Sequence, residues 1–261
     1  MKAETAMNIL VCVKRVPMVG ARITLAPDGQ DLDTHLLGFT VSPHEECAVE
    51  EAVRIIEARG GLVSVLTLGP PEAVEQLRDA AAIGAGRLVL LETDGREWGP
   101  IATARAIVEA VREHESKDAP YDLVLFGNEA ADTGDYQVAV RVAHALGRPC
   151  ATGIKHLDVL DETLRAQREF RGGEELFELA LPAVVSVKEG INLPRYPSLP
   201  GRMRAKKAPV ETAAPQWNEE PLHKEMLKVP VVQRQRAEIL GTGVEAVPAL
   251  VGLLERLGVL P

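Results

Sequence analysis

Short apolar runs alternate with amphipathic stretches through the first 150 or so residues of the chain. Asn8 to Val13 (NILVCV) is nearly continuous in apolar side chains, as in a strand buried on both faces. Ser42-Pro43 supplies a cap and first-turn pair. Val49, Ala52, Val53 and Ile56 then recur at helical spacing while Glu50, Glu51 and Arg54 face away, until Gly60-Gly61 ends the helix. Leu62 to Leu68 predicts a second strand, and Gly69-Pro70-Pro71 turns into a helix through Val74, Leu77 and Ala81. Arg87 to Leu91 and Tyr121 to Phe126 predict two more strands, separated by a helix with Ile101, Ala104, Val108 and Val111 on one stripe. Gln137 to Leu146 reads as a further helix. Strict alternation of strand and helix predicts an α/β fold with a doubly wound, mainly parallel sheet.

The period changes after Cys150. His156 to Leu160, Leu164 to Arg171 and Glu175 to Leu181 read as short strands broken by Asp161-Glu162 and Gly172-Gly173, which predicts a small antiparallel meander. Ala183 to Val187 is again fully apolar and fits a return to the main sheet. Pro194, Pro197 and Pro200 follow, each fixing φ and lacking an N–H, which predicts an ordered, extended arm rather than a helix or central strand. The arm carries Tyr196 and Leu199 and ends in the basic cluster Arg202, Arg204, Lys206 and Lys207. Residues 208 to 235 read as an extended linker. Val247, Leu250, Leu253, Leu254 and Leu257 predict a terminal amphipathic helix that docks on a partner or packs on its own sheet. The expected organisation is an α/β unit over 7–207, including a loop at 189–207, then a C-terminal arm and helix over 208–261.

Composition narrows the function classes. The 261 residues are 46% hydrophobic and 26% charged, enough to bury a sizeable core, and the formal net charge of −9 argues against a nucleic-acid-binding face. Cys12, Cys47 and Cys150 have no CxxC spacing, which disfavours a disulfide framework or thiolate metal site and makes a reducing cytoplasm the expected compartment. No apolar run of about 18 residues occurs, so membrane insertion is not expected. Met1 to Ala6 reads as a ragged leader, with Met7 an alternative start.

In an open parallel sheet, ligands bind outside the carboxyl ends of the strands. Those ends are Cys12 to Val16, Leu68 to Pro70 and Phe126 to Gln137. The last combines Gly127, small residues, Gly134 and a helix start, an arrangement able to offer backbone N–H groups to a phosphate. Asp132 and Asp135 oppose that role unless they turn away as helix caps. No GxGxxG, GxxxxGK[ST], GxSxG or HExxH is present, which argues against a nicotinamide dehydrogenase, a P-loop protein, a hydrolase triad or a metal site. Glu45, Glu46, Glu50 and Glu51 are explained by the helix dipole.

The motifs VCVKRVP (11–17), AVEEAVR (48–54), the Gly69-Pro70 turn, IGAGRLVLL (83–91), DLVLFGNEAAD (122–132), LPAVVSV and NLPRYPSLPGRMRAKK occur in one order over nearly the full chain. In these the chain resembles the beta subunit of electron-transfer flavoproteins. The resemblance implies a non-catalytic subunit paired with an alpha chain that holds the redox FAD. This chain would itself bind AMP, or a second FAD as in electron-bifurcating members; a stand-alone nucleotide-sensing module is the alternative from another class. The implied nucleotide contacts are Cys12, Ser42, Pro43, His44, Glu45, Leu68, Asn128, Glu129, Ala130, Ala131, Asp132, Thr133, Gly134, Asp135, Tyr136, Gln137 and Val138. The proline arm resembles a loop that docks acyl-CoA and other dehydrogenases through an exposed leucine, here Leu199, with a quinone oxidoreductase as electron acceptor. The chain departs from the family pattern at Ser42, usually asparagine, and in the loop, where Asn128 stands at the basic position of GKQAIDDD or GRQAIDGD.

Overall fold

The computed structural model describes residues 6–18, 23–96, 98–219, 221–222, 224–230 and 239–260. The leader reading for Met1 to Ala6 falls outside these except at Ala6, as does the end of the expected linker. The first half runs β1 (Met7–Val13), the short strands β2 (Val16–Pro17) and β3 (Phe39–Thr40), α1 (Pro43–Arg59), β4 (Gly61–Gly69), α2 (Val74–Ile83), β5 (Arg87–Glu92), α3 (Pro100–Glu115), β6 (Leu123–Gly127) and α4 (Val138–Leu146). The second half runs β7 (Cys150–Ile154), β8 (His156–Val159), β9 (Thr163–Phe170), β10 (Gly173–Ala180), β11 (Ala183–Val187), α5 (Leu199–Ala205), β12 (Glu211–Ala213) and α6 (Val247–Arg256).

The main sheet has the order β12-β5-β4-β1-β6-β11-β7, and every neighbouring pair is parallel. β1 lies at its centre. Ile9, Val11 and Val13 pack towards α1 and α2, whereas Leu10 and Cys12 pack towards α3 and α4. A strand covered on both sides has no polar face to alternate with, which is why NILVCV reads as one apolar run. Each fully buried Ile, Leu or Val adds about 1.5–3 kcal/mol, so this strand anchors both layers. β8, β9 and β10 form the expected antiparallel meander, and their Leu157, Leu164 and Ala166 join the α1–α2 core.

Two parallel edge strands carry no strong sequence signal. β7 pairs with β11, and β12 pairs with β5 although it lies in the polar stretch after residue 207. Its residues are exposed, and Arg87 holds it by donating from Nε and NH2 to the two Glu211 oxygens at 2.8 and 2.7 Å.

The proline arm differs from expectation. Residues 188–198 form neither helix nor strand, but Leu199–Ala205 is helical. Ser198 caps it by accepting the Gly201 N–H at 3.1 Å, and Pro200 occupies the first turn, where a missing N–H costs nothing. α1 also differs. Glu50 does not face away: its side chain is 1% exposed and accepts hydrogen bonds from Arg54 at 2.7 Å and Arg195 at 2.9 Å. Burial alone would raise its carboxyl, but the arginine hydrogen bonds outweigh that and hold it below the usual value. Glu51 accepts from Asn192 at 2.8 Å, so two acidic residues of this helix root the arm.

α5 rests on α2 through Gly201, where a Cβ would stand 2.3 Å from the Ala82 carbonyl oxygen. Gly201→Ala is therefore expected to destabilise the chain by about 1–3 kcal/mol in urea unfolding. Unchanged stability would mean that α5 is not seated there.

Candidate functional site

The strand order reverses at β1. The chain builds outward through β4 and β5 on one side and then crosses to β6 on the other. The flanking loops consequently separate at the carboxyl ends of β1 and β6, the place where open α/β sheets take ligands. A cavity of about 330 Å³ lies there, lined among others by Cys12, Leu68, Trp98, Asn128, Gln137 and Val138.

The start of α1 forms a wall of the cavity beside the end of β6. Glu45 is buried, and its carboxylate accepts from Ser42 N–H at 3.1 Å, Ser42 Oγ at 2.9 Å and Lys14 N–H at 3.0 Å. This is the return half of a capping box, and it ties α1 to the end of β1. Burial pushes the Glu45 carboxyl up to about 7, against the pull of the Ser42 and Lys14 hydrogen bonds. Gly127 allows this contact, since a Cβ there would lie 2.6 Å from Glu45 Cγ and 3.1 Å from His44 Cβ. Burial also raises the Cys12 thiol, which favours its neutral form.

The loop after β6 brings Glu129, Ala130, Thr133, Asp135 and Tyr136 to the cavity. Asn128 is held behind it, its backbone N–H on Val187 O at 2.9 Å and its Oδ1 accepting from Ser186 Oγ at 3.3 Å. Tyr136 has φ +53°, a left-handed conformation that costs a non-glycine residue strain and recurs at binding sites. Ser42, Pro43, His44, Ala131, Asp132 and Gly134 do not line the cavity. Ser42 and His44 back it, at 3.4 Å from Glu129 O and 3.3 Å from Glu129 Oε1 respectively. Neither loop aspartate caps α4, whose N-cap is Gln137; Asp132 instead pairs with Lys14 at 2.8 Å.

Several cavity residues escaped the reading of this loop. Lys14, Arg15 and Arg96 bring cationic side chains from the ends of β1 and β5, Lys14 paired with Asp132 and Arg96 with Asp94 at 3.0 Å. Arg15 lies over Phe39, 3.4 Å from the ring centroid. Arg15 Nε and Trp98 Nε1 are buried with no acceptor, so the wall holds more donors than its own acceptors satisfy. The Lys-Arg pair directly after β1 was a usable signal, whereas Arg96 and Trp98 sit in a loop with no motif. Among the described residues, no group of His, Cys, Asp or Glu is placed to hold a metal ion, and no helix is long and apolar enough to cross a membrane.

The architecture defines an open, doubly wound α/β protein with a donor-rich cavity at its topological switch point. Residues 31–216 match the electron transfer flavoprotein domain, and the chain belongs to that family. It is 36% identical over 210 residues to the electron transfer flavoprotein subunit beta of Bacillus subtilis (strain 168), covering 78% of each chain. The subunit beta of Syntrophomonas wolfei is 36% identical, covering 80% of each chain. The human subunit beta is 33% identical over 80% of this chain and 82% of its own.

Glu45 sets a pH dependence. Its folded pKa of about 7 exceeds the ordinary 4.5, so in that window the native state keeps a proton that the unfolded chain has released. Stability is expected to fall as pH rises through the window, by on the order of 3 kcal/mol at most, and then to level off. Glu45→Gln keeps a side-chain acceptor and should flatten that component in denaturant unfolding between about pH 5 and 8. An unaltered profile would refute it.

Proposed function

We propose that this chain is the beta subunit of a heterodimeric electron transfer flavoprotein. It binds AMP in the switch-point cavity and supports an FAD held mainly by the alpha subunit. The observation that carries the nucleotide reading is the cavity itself: it sits where the strand order reverses, and Lys14, Arg15 and Arg96 line it. Its volume of about 330 Å³ is near the lower end of the range for ligand pockets, which favours a mononucleotide over a second FAD. Cys12, Glu45, Leu68, Asn128 to Ala130, Thr133 and Asp135 to Val138 would contact the nucleotide. Ser42 to His44, Ala131, Asp132 and Gly134 would support them.

The subunit makes and breaks no bonds; its role is to position. The flavin, when bound, takes up and releases the electrons. Donor dehydrogenases, acyl-CoA dehydrogenases among them, dock on the arm, and a quinone oxidoreductase accepts the electrons. Leu199 is 75% and Tyr196 95% exposed, an arrangement suited to a protein contact, and the exposed Arg202, Arg204, Lys206 and Lys207 follow them in the chain. Within the 208–261 extension β12 belongs to this chain's own sheet, and the terminal helix serves the alpha subunit. No residue of α6 is buried, and Val247, Leu250 and Val251 are exposed, so its apolar side is free to pack on another chain. A cytoplasmic, reducing setting suits three free cysteines.

Co-expression with the alpha subunit tests the assignment: one FAD and one AMP per heterodimer are expected. Two flavins would place a second FAD in the cavity, and a chain that stays monomeric with nucleotide bound would favour a stand-alone sensor. Leu199→Ala should weaken donor coupling by more than about 1 kcal/mol in donor-dependent flavin reduction and leave thermal unfolding unchanged. Unaltered donor kinetics would remove Leu199 from the interface.

A further inference from the structure

His44 stands between the cavity and the root of the arm and bonds to both. Its Nδ1 accepts the Glu189 backbone N–H at 2.7 Å, just beyond the end of β11. Its Nε2 lies 3.3 Å from Glu129 Oε1. These contacts settle the tautomer: with Nδ1 accepting, Nε2 carries the hydrogen and donates to the Glu129 carboxylate. The ring is partly buried, 19% exposed.

Besides Arg54, which donates to Leu193 O at 3.3 Å, three points on α1 hold the arm root. His44 holds Glu189. Asn192 donates to Cys47 O at 3.0 Å and to Glu51. Arg195 clamps Glu50 and, at 2.6 Å, Glu57. Of these three, His44 alone also grips the loop after β6, through a residue that lines the cavity. Ser42, two residues earlier, also touches that loop, at Glu129 O.

We propose that His44 is a positioning residue that couples occupancy of the cavity to the order of the arm root. This rests on the nucleotide-binding and docking assignments above and adds a link between them. A nucleotide contacting residues 128–138 restrains Glu129; a restrained Glu129 holds the imidazole, and the imidazole holds the Glu189 amide. Ordering either end lowers the entropic cost of ordering the other. The coupling is reciprocal, so a donor docked on the arm tightens the nucleotide.

Hydrogen exchange on the complete heterodimer, stripped of nucleotide and titrated with AMP, tests this in wild type, His44→Phe and His44→Gln. Phenylalanine keeps the bulk but bonds to neither partner, whereas glutamine supplies an acceptor and a donor together. In wild type, AMP should slow exchange across 128–138 and also at Glu189, the latter by about fivefold or more, the low end of inter-site coupling. In His44→Phe the first effect should persist and the second vanish, and His44→Gln should restore both. Protection of Glu189 that is equal in wild type and His44→Phe overturns the coupling. So does protection of 128–138 in wild type without any at Glu189. If AMP leaves 128–138 unprotected in wild type, the nucleotide assignment itself fails, and the coupling fails with it.

Discussion

A strand that runs parallel to both of its neighbours cannot be joined to either by a tight hairpin, and the architecture follows from that constraint on β1. Each link must cross the sheet through a helix. Once one side has been built out to β5, the next crossover lands on the other side of β1. The loops leaving β1 and β6 then diverge, and the gap between them is the cavity. Its cations arrive from strands distant in sequence because the carboxyl ends of a parallel sheet all point to one edge.

The second support is α1. Its first turn closes the cavity through Glu45, and its middle turns hold the arm through Glu50 and Glu51. A buried carboxylate without a partner costs several kcal/mol, so Glu50 effectively requires Arg195 and Arg54 in place. The arm is stiff at its root for that reason, although its tip at Tyr196 and Leu199 is exposed. Cavity and arm thus share one helix.

Elements with a strong period were legible from residues alone. β1, α1, β4, α3 and the meander lie within a few residues of where the pattern of apolar positions puts them. β12 was not legible, because its exposed residues show no apolar alternation and it is held by backbone pairing and the Arg87–Glu211 pair across the chain. α5 was hidden by its own prolines, which forbid a helix before Leu199 and favour one starting there. In the site, the loop after β6 stood out through its small residues. Arg96 and Trp98 join the cavity only through the sheet order.

The sequence by itself determined the class of fold and the family, since both rest on local periodicity and on motifs contiguous in the chain. Only the tertiary structure decided which acidic residues of α1 are buried, and that His44 bonds to both the loop after β6 and the arm root. Those properties arise between residues up to 145 positions apart, where packing rather than local preference sets the contact.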